Sequence, residues 1–531
     1  MNTRSRVPGR AVKLLLCLML AGCTVGPDYK RPAAWYSPAG WFRARKPLAP
    51  VAAGPSLPAE QPVDPAWWNS FRDPVLGRLI GRVAATNPDV RVQTIRLAES
   101  RASLGIARAG AFPQVNGNGS YTREQQSKRG VIGLLGGAAG AGGTPGTASN
   151  GLGGIQGGLP NTSLSAPFDL YQYGFDASYE LDLWGRVRRN IESSRAQLAA
   201  SEEDRRNTLL TTLSELARDY VQLRGAQANL AIVRKNLGLQ RDSLQLTRDR
   251  AQAGLNTELD VANAAAQVAA TEAQVPDLEA QQAQQVNAIA LLLGEPPDAL
   301  DSELAAVAPI PPVPPTVPVG LPSELTRRRP DIRQAEANLH AATATVGVAV
   351  ADFFPRVTLS GSVAIQATQV KYLGSLGADT YSLGPSITLP IFQGGRLTRT
   401  LELRRAQQQE AAISYQRAVL GALHDVNNAL TTYASEQLRQ QALQRSVREN
   451  QRAVGLANDQ YRAGIVTFIE VLNAERQLLS TQQQQLQSQT NISIDLVALY
   501  KALGGGWEVS YPDGAPPPDG TALLPAALVE P

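Results

Sequence analysis

The sequence predicts a mainly α-helical chain that also supplies four strands to a membrane β-barrel. Three observations carry this. Two stretches of 67 residues, Arg186–Gln252 and Arg396–Arg462, contain no proline. Four segments of about ten residues alternate between apolar and polar side chains, the pattern of a barrel wall with one greasy and one wet face. The second half of the chain repeats the first, so both features occur twice.

Residues 1–22 read as a secretory signal peptide. Arg4, Arg6, Arg10 and Lys13 precede an apolar run from Leu14 to Leu20, and the small Ala21 and Gly22 follow. The run is shorter than the roughly 20 residues that span a bilayer. Leu20-Ala21-Gly22-Cys23 has the form of a bacterial lipobox, which makes Cys23 the candidate lipidated first residue. An ordinary signal peptide with an incidental cysteine is the alternative. The other cysteine, Cys17, lies inside the apolar run, so the part from Cys23 onward has one cysteine and no internal disulfide. The full chain has 50 basic and 46 acidic residues, and the first 22 carry four basic and no acidic ones. The remainder is therefore balanced at 46 against 46. The basic pI belongs to the targeting segment and does not argue for nucleic acid. After Cys23 no long apolar run offers a transmembrane helix.

The duplication organises the rest. Ala253-Gly254-Leu255-Asn256-Thr257-Glu258-Leu259-Asp260-Val261 matches Ala463-Gly464-Ile465-Val466-Thr467-Phe468-Ile469-Glu470-Val471 at an offset of 210. Upstream, Asn87-Pro88-Asp89-Val90-Arg91 matches Arg329-Pro330-Asp331-Ile332-Arg333, and Phe112-Pro113 matches Phe354-Pro355, at an offset of 242. The first copy therefore holds extra residues between Pro113 and Tyr173. They include the Gly/Ala run Gly130 to Gly158, which reads as a flexible loop. The expected layout is an N-terminal segment at 23–80, a first repeat at 81–300, a Pro-rich linker at 301–329, a second repeat at 330–504 and a tail at 505–531.

In each repeat a helix leads into two strands. The strands are expected at about 114–123 and 172–183, then at 356–366 and 381–392. Val115, Gly117, Gly119 and Tyr121 alternate with polar residues, as do Phe175, Ala177, Tyr179 and Leu181. Val357, Leu359, Gly361, Val363 and Ile365 do the same in the second copy, with Tyr381, Leu383, Ile387 and Leu389. A soluble β-sandwich is the rival reading, but it needs a second sheet to cover the apolar face. Four strands cannot close a barrel, and an open sheet edge in lipid leaves its N–H and C=O groups unpaired. Several copies of the chain must then share one wall; the strands alone do not choose two or three.

Two long helices follow in each copy, at 186–252 with 257–293, and at 396–462 with 466–503. A helix of 67 residues is about 100 Å long. Leu209, Leu213, Leu216, Tyr220, Leu223, Leu230, Leu237 and Leu244 step by 3, 4 or 7 and mark a heptad-like seam. A soluble coiled coil or helical stalk would explain these helices but has no place for the strands.

Several ordered motifs resemble the TolC-like outer membrane factors, in their NodT-type lipoprotein branch. They are Cys23-Thr24-Val25-Gly26-Pro27-Asp28-Tyr29, Trp67-Trp68-Asn69-Ser70-Phe71-Arg72-Asp73-Pro74, Leu181-Asp182-Leu183-Trp184-Gly185-Arg186, Arg328-Arg329-Pro330-Asp331-Ile332, Pro390-Ile391-Phe392-Gln393-Gly394-Gly395-Arg396 and Tyr461-Arg462-Ala463-Gly464. The resemblance implies a homotrimer, with a shared 12-stranded barrel in the outer membrane and an α-helical barrel across the periplasm. It implies an exit duct for small toxic compounds such as drugs, working with a periplasmic adaptor (membrane fusion) protein and an inner-membrane pump of the resistance-nodulation-division type. A conduit for type I protein secretion has the same architecture and is the alternative. Cys23 would carry N-palmitoyl and S-diacylglycerol groups in outer membrane lipid, with no other cofactor. Thr24 stands where an inner-membrane retention signal would place Asp.

No enzyme chemistry is legible. The two histidines, His340 and His424, are unmatched between the repeats and read as helix-surface or packing residues. The glycine run lacks the Lys-Ser/Thr ending of a phosphate-binding loop. The candidate sites are structural. Ala253, Gly254 and Thr257, with Ala463, Gly464 and Thr467, form two helix turns; the resemblance assigns them to adaptor docking. It also places a periplasmic gate at Tyr461, Ile469, Asn473 and Arg476. Relatives with an acidic ring carry Asp where this chain has Asn473; Glu470 and Glu475 are nearby charges, whose plain reading is a solvated helix face.

Overall fold

A computed structural model describes residues 24–31, 57–59, 61–125, 167–255, 257–320, 325–375 and 377–513. Cys23, the run Gly130 to Gly158 and the residues from 514 onward lie outside them. Six strands are described: β1 (Leu57–Ala59), β2 (Gln114–Glu124), β3 (Phe168–Leu181), β4 (Thr316–Pro318), β5 (Arg356–Ala367) and β6 (Asp379–Thr388). The main helices are α1 (Pro74–Thr86), α2 (Pro88–Ala109), α3 (Arg186–Gln252), α4 (Glu258–Glu272), α5 (Gln274–Leu293), α6 (Pro330–Ala351), α7 (Arg396–Arg462) and α8 (Phe468–Leu503). None of the described helices is long and apolar enough to cross a membrane. The chain divides into two units.

One unit holds residues up to Asp28, Gly105–Glu192 and Ala344–Arg404. Its sheet is antiparallel in the order β2-β3-β5-β6. Register lines up Gly117, Phe175, Val363 and Tyr381 in one row, and Val115, Ala177, Gly361 and Leu383 in another. The intervening row is Asn116, Asp176, Ser362 and Ser382. Alternation puts the first two rows on one face and the third on the other. Val115, Phe175, Val363, Tyr381, Leu383 and Ile387 are all exposed. No second sheet covers them among the described residues, where the only other sheet is the three-residue pair β1-β4. The sandwich reading is thereby set aside. At Gly174 a Cβ would stand 2.3 Å from the Val363 carbonyl, so only glycine lets β3 and β5 approach there.

Two strand bounds differ from expectation. The second strand starts at Phe168 rather than 172, because its partner β2 continues to Glu124, which pairs with Phe168. The fourth runs 379–388 rather than 381–392. Its last partner is Arg356, and Pro355 before it has no N–H to extend the ladder. The same unit docks the N-terminal residues. Val25 N donates to the Trp184 carbonyl at 3.1 Å, Gly26 lies against Gly347, and Asp28 pairs with buried Arg189 at 2.5 Å.

The other unit holds the helices. The seam residues from Leu209 to Leu244 are all buried. They form three successive apolar clusters with α4, α5, α7 and α8. The largest also contains Trp67, Phe71, Leu76, Leu79, Tyr500 and Trp507. Trp67 stacks on Tyr500 at 5.2 Å, and its Nε1 donates to the Gly505 carbonyl. Asp73 caps α1 through Val75 N and Leu76 N, and accepts the Tyr220 hydroxyl at 2.7 Å.

Three expected bounds shift in this unit. The return helix at 257–293 divides at Ala273, because Pro276 cannot donate to the Glu272 carbonyl. The Pro-rich linker expected at 301–329 also holds β4, which pairs in parallel with β1, and buries Leu304, Ile310, Val317 and Leu325. The tail expected from 505 begins inside the core, where Trp507 is buried and the guanidinium groups of Arg206 and Arg333 lie over its ring at 4.7 and 5.2 Å.

Candidate functional site: the helix turns

Both turns reverse the chain in the same way. Gly254 and Gly464 adopt φ of +71° and +74°. Leu255 N bonds the Arg250 carbonyl at 2.8 Å, and Ile465 N bonds the Gln460 carbonyl at 2.9 Å. This is the left-handed helix ending that favours glycine. A Cβ at either glycine would meet nothing within 4 Å, so backbone conformation and not space requires it. The restarts differ. Thr257 Oγ1 accepts from Asp260 N while Asp260 Oδ2 accepts from Thr257 N, a complete capping box. Thr467 occupies the same position but makes no side-chain cap bond.

The turns present apolar tips. Leu255, Leu259 and Ile465 are exposed. Just behind them the residues expected at a gate separate into two sets. Ile469 is 40 % exposed, and Glu470, Asn473 and Arg476 are exposed with it. Tyr461 is only 5 % exposed: its ring packs on Phe468 at 5.5 Å with the Arg250 guanidinium over it at 4.9 Å. Arg476 Nε donates to Gln267 Oε1 at 2.5 Å, tying α8 to α4.

The carboxylates also separate. Glu470 is exposed, whereas Glu475 is half-buried, and burial alone pushes its carboxyl up to about 7. Asp495, higher on α8, is pushed up to about 6 by burial first and by the nearby Glu436 second. His340 packs as expected of it, stacked on Tyr29 at 4.3 Å. Sequence reasoning missed the burial of Tyr461 and Glu475. The step of three and four from Val471 and Leu472 to Glu475 and Leu479 was the available signal. No group of three or more His, Cys, Asp or Glu among the described residues could hold a metal ion. The arrangement packs the helix ends on one another and leaves apolar tips exposed; it presents no nucleophile–base pair among the described residues.

Comparison with known proteins agrees with this architecture. The family model for the outer membrane efflux protein matches residues 79–295 and 321–505. The outer membrane lipoprotein SilC of Salmonella typhimurium is 30 % identical over 493 residues, covering 92 % of this chain and 97 % of that protein. The solvent efflux pump outer membrane protein SrpC of Pseudomonas putida is 31 % identical over 510 residues, covering 94 % and 99 %. The solved outer-membrane channel OprN superposes with a TM-score of 0.79 at 36 % identity, covering 92 % of this chain and all of that one. The fold is that of the outer membrane channels, and the chain serves as an exit duct of tripartite efflux rather than as an enzyme. By sequence and by fold, it belongs to the outer membrane efflux protein family.

Proposed function

We propose that the chain works as a lipid-anchored homotrimer that passes small toxic organic compounds out of the cell. The observation that carries this is the sheet with two open edges. Among the described residues β2 and β6 each lack a partner on one side, and one face is apolar and uncovered. In lipid those edges must be paired, and pairing β6 of one copy with β2 of the next closes a wall. Three copies give twelve strands, the number the family resemblance implies. The helices of the same copies would line a periplasmic tunnel, with the turns at Gly254 and Gly464 docking the adaptor and Ile469, Asn473 and Arg476 narrowing its end. Tyr461 would act behind that ring by holding Phe468 and Arg250. Cys23 is the proposed anchor, a reading supported by the lipobox and by the lipoprotein relative. Organic cargo is supported by the relative named for solvent efflux.

Deleting the gene and screening against solvents, antibiotics, dyes and metal ions tests the cargo. Sensitivity to organic compounds, reversed by the wild-type gene, supports the reading. Loss of a secreted protein without any sensitisation would replace it with a secretion conduit.

A further inference from the structure

Helix α8 carries Val471, Leu472, Glu475 and Leu479 on one stripe, at steps of three and four. Val471 and Leu472 belong to the apolar cluster with Leu237 and Leu244, and Leu479 to the next one with Leu230 and Val233. Glu475 sits between the two. It makes no hydrogen bond or ion pair among the described residues. Its mate 210 positions earlier is Ala265, which packs on the same cluster. The second copy thus holds a carboxyl where the first holds a methyl.

Across the seam, α3 presents Leu237, Gln240 and Leu244 on its own stripe. Gln240 is 4 % exposed, and its Oε1 is buried with no donor. A buried acceptor without a donor is unusual and calls for a partner. Two contacts set the register of these antiparallel helices. A Cβ on Gly225 would lie 2.7 Å from Thr490 Oγ1, and Asn236 donates to Gln482 at 3.1 Å. Fifteen residues toward the turns from the first contact are Gln240 and Glu475. Four residues from the second are Gln240 and Leu478. Gln240 and Glu475 therefore share a level to within one helical turn.

We propose that Glu475 and Gln240 form a proton-operated latch between α8 and α3. With a proton taken from solvent, the Glu475 carboxyl donates its O–H to Gln240 Oε1, and α8 seats on the seam. When that proton leaves, a carboxylate faces a carbonyl oxygen in an apolar cleft, and the helix ends loosen toward the turns. The other charges on the packed helices are engaged or exposed. Arg241 of α3 pairs with Glu272 of α4 at 2.9 Å, Arg476 is held by Gln267, and Arg452 and Asp459 of α7 are exposed. None of them shifts Glu475, whose proton affinity is raised by burial alone. An acid held above its ordinary range favours the folded seam while protonated. The latch is therefore closed at low pH and opens as pH rises through about 7. The device needs only the α3–α8 seam and stands whatever the cargo.

Hydrogen–deuterium exchange of the full protein in detergent between pH 5.5 and 8.5, corrected for intrinsic rates, tests it. In the wild type, protection of residues 466–480 falls at least about tenfold across that range, as expected of a carboxyl that holds its proton at least about ten times more tightly in the seated seam than in the opened one. Glu475→Gln donates an amide N–H at every pH, so protection stays high and flat. Glu475→Ala, which copies Ala265, is flat as well and serves if the Gln variant folds poorly. Gln240→Leu lowers protection at pH 5.5. Asp495→Asn, at the other raised carboxyl of α8, keeps the wild-type transition. A flat wild type, a Glu475→Gln profile like the wild type, or loss of the transition in Asp495→Asn would overturn the latch.

Discussion

Replacing Phe175 by Arg tests the reading of the sheet as a membrane wall. Phe175 lies near the middle of β3, in the row shared with Gly117, Val363 and Tyr381, and its side chain is exposed, as are those of Val363 and Tyr381. An Arg on the lipid face of a barrel costs about 2–4 kcal/mol at the bilayer midplane. If three copies share the wall, the assembly loses roughly 6–12 kcal/mol. That is comparable with the whole stability of a typical domain, about 5–15 kcal/mol. Ser362→Arg is the control: Ser362 pairs with Asp176 in the polar row on the opposite face. The assay is refolding into lipid vesicles against urea, read by the mobility shift of folded barrel on unboiled gels. Phe175→Arg should fail to fold or unfold at a much lower urea concentration, while Ser362→Arg stays close to wild type. The reverse order, or equal behaviour, would refute the assignment of faces.

Three further outcomes follow from the same structure. Thr257→Ala removes the side-chain half of a capping box, the Oγ1 that accepts from Asp260 N, and should destabilise the first turn by about 1 kcal/mol, whereas Thr467→Ala, with no cap bond to lose, should change little; thermal melts of the two variants compare them. Trp67→Ala should lower stability by about 3–5 kcal/mol, because the ring is fully buried against Tyr500 and its N–H is bonded; a melting point within a degree or two of wild type would contradict this. Asp495 is an acid held above its ordinary range, so its contribution to stability is lost as pH rises through about 6. Asp495→Asn should therefore melt higher than wild type at pH 7.5, with the difference shrinking toward pH 4, and a constant difference would refute the cause.

The long elements were legible because their patterns extend over many residues. Alternation from Val115 to Tyr121 and from Val357 to Ile365 needs only one uncovered face, and the seam from Leu209 to Leu244 repeats often enough to exclude chance. The ends were not legible, because they depend on partners. Phe168 joins β3 only because Glu124 lies opposite, and Leu389 and Ile391 keep the alternation with no strand left to pair. Trp507 follows three glycines and looks like the start of a tail, yet it is buried and two arginines distant in sequence lie over its ring. Around the turns, glycine spacing revealed the reversals, but the direction of each side chain depends on neighbouring helices. Tyr461 and Glu475 lie in packed seams, Glu475 at a step of three and four from Val471 and Leu472, while Ile469 and Asn473 are exposed.

The shared wall is tested most directly by the native mass of the full protein extracted in mild detergent, corrected for bound detergent and lipid. A mass of three chains, each 56.6 kDa before any processing, is the predicted result, because only pairing between copies satisfies the β2 and β6 edges. A stable, folded monomer would contradict it, since both edges would then lie open in the membrane.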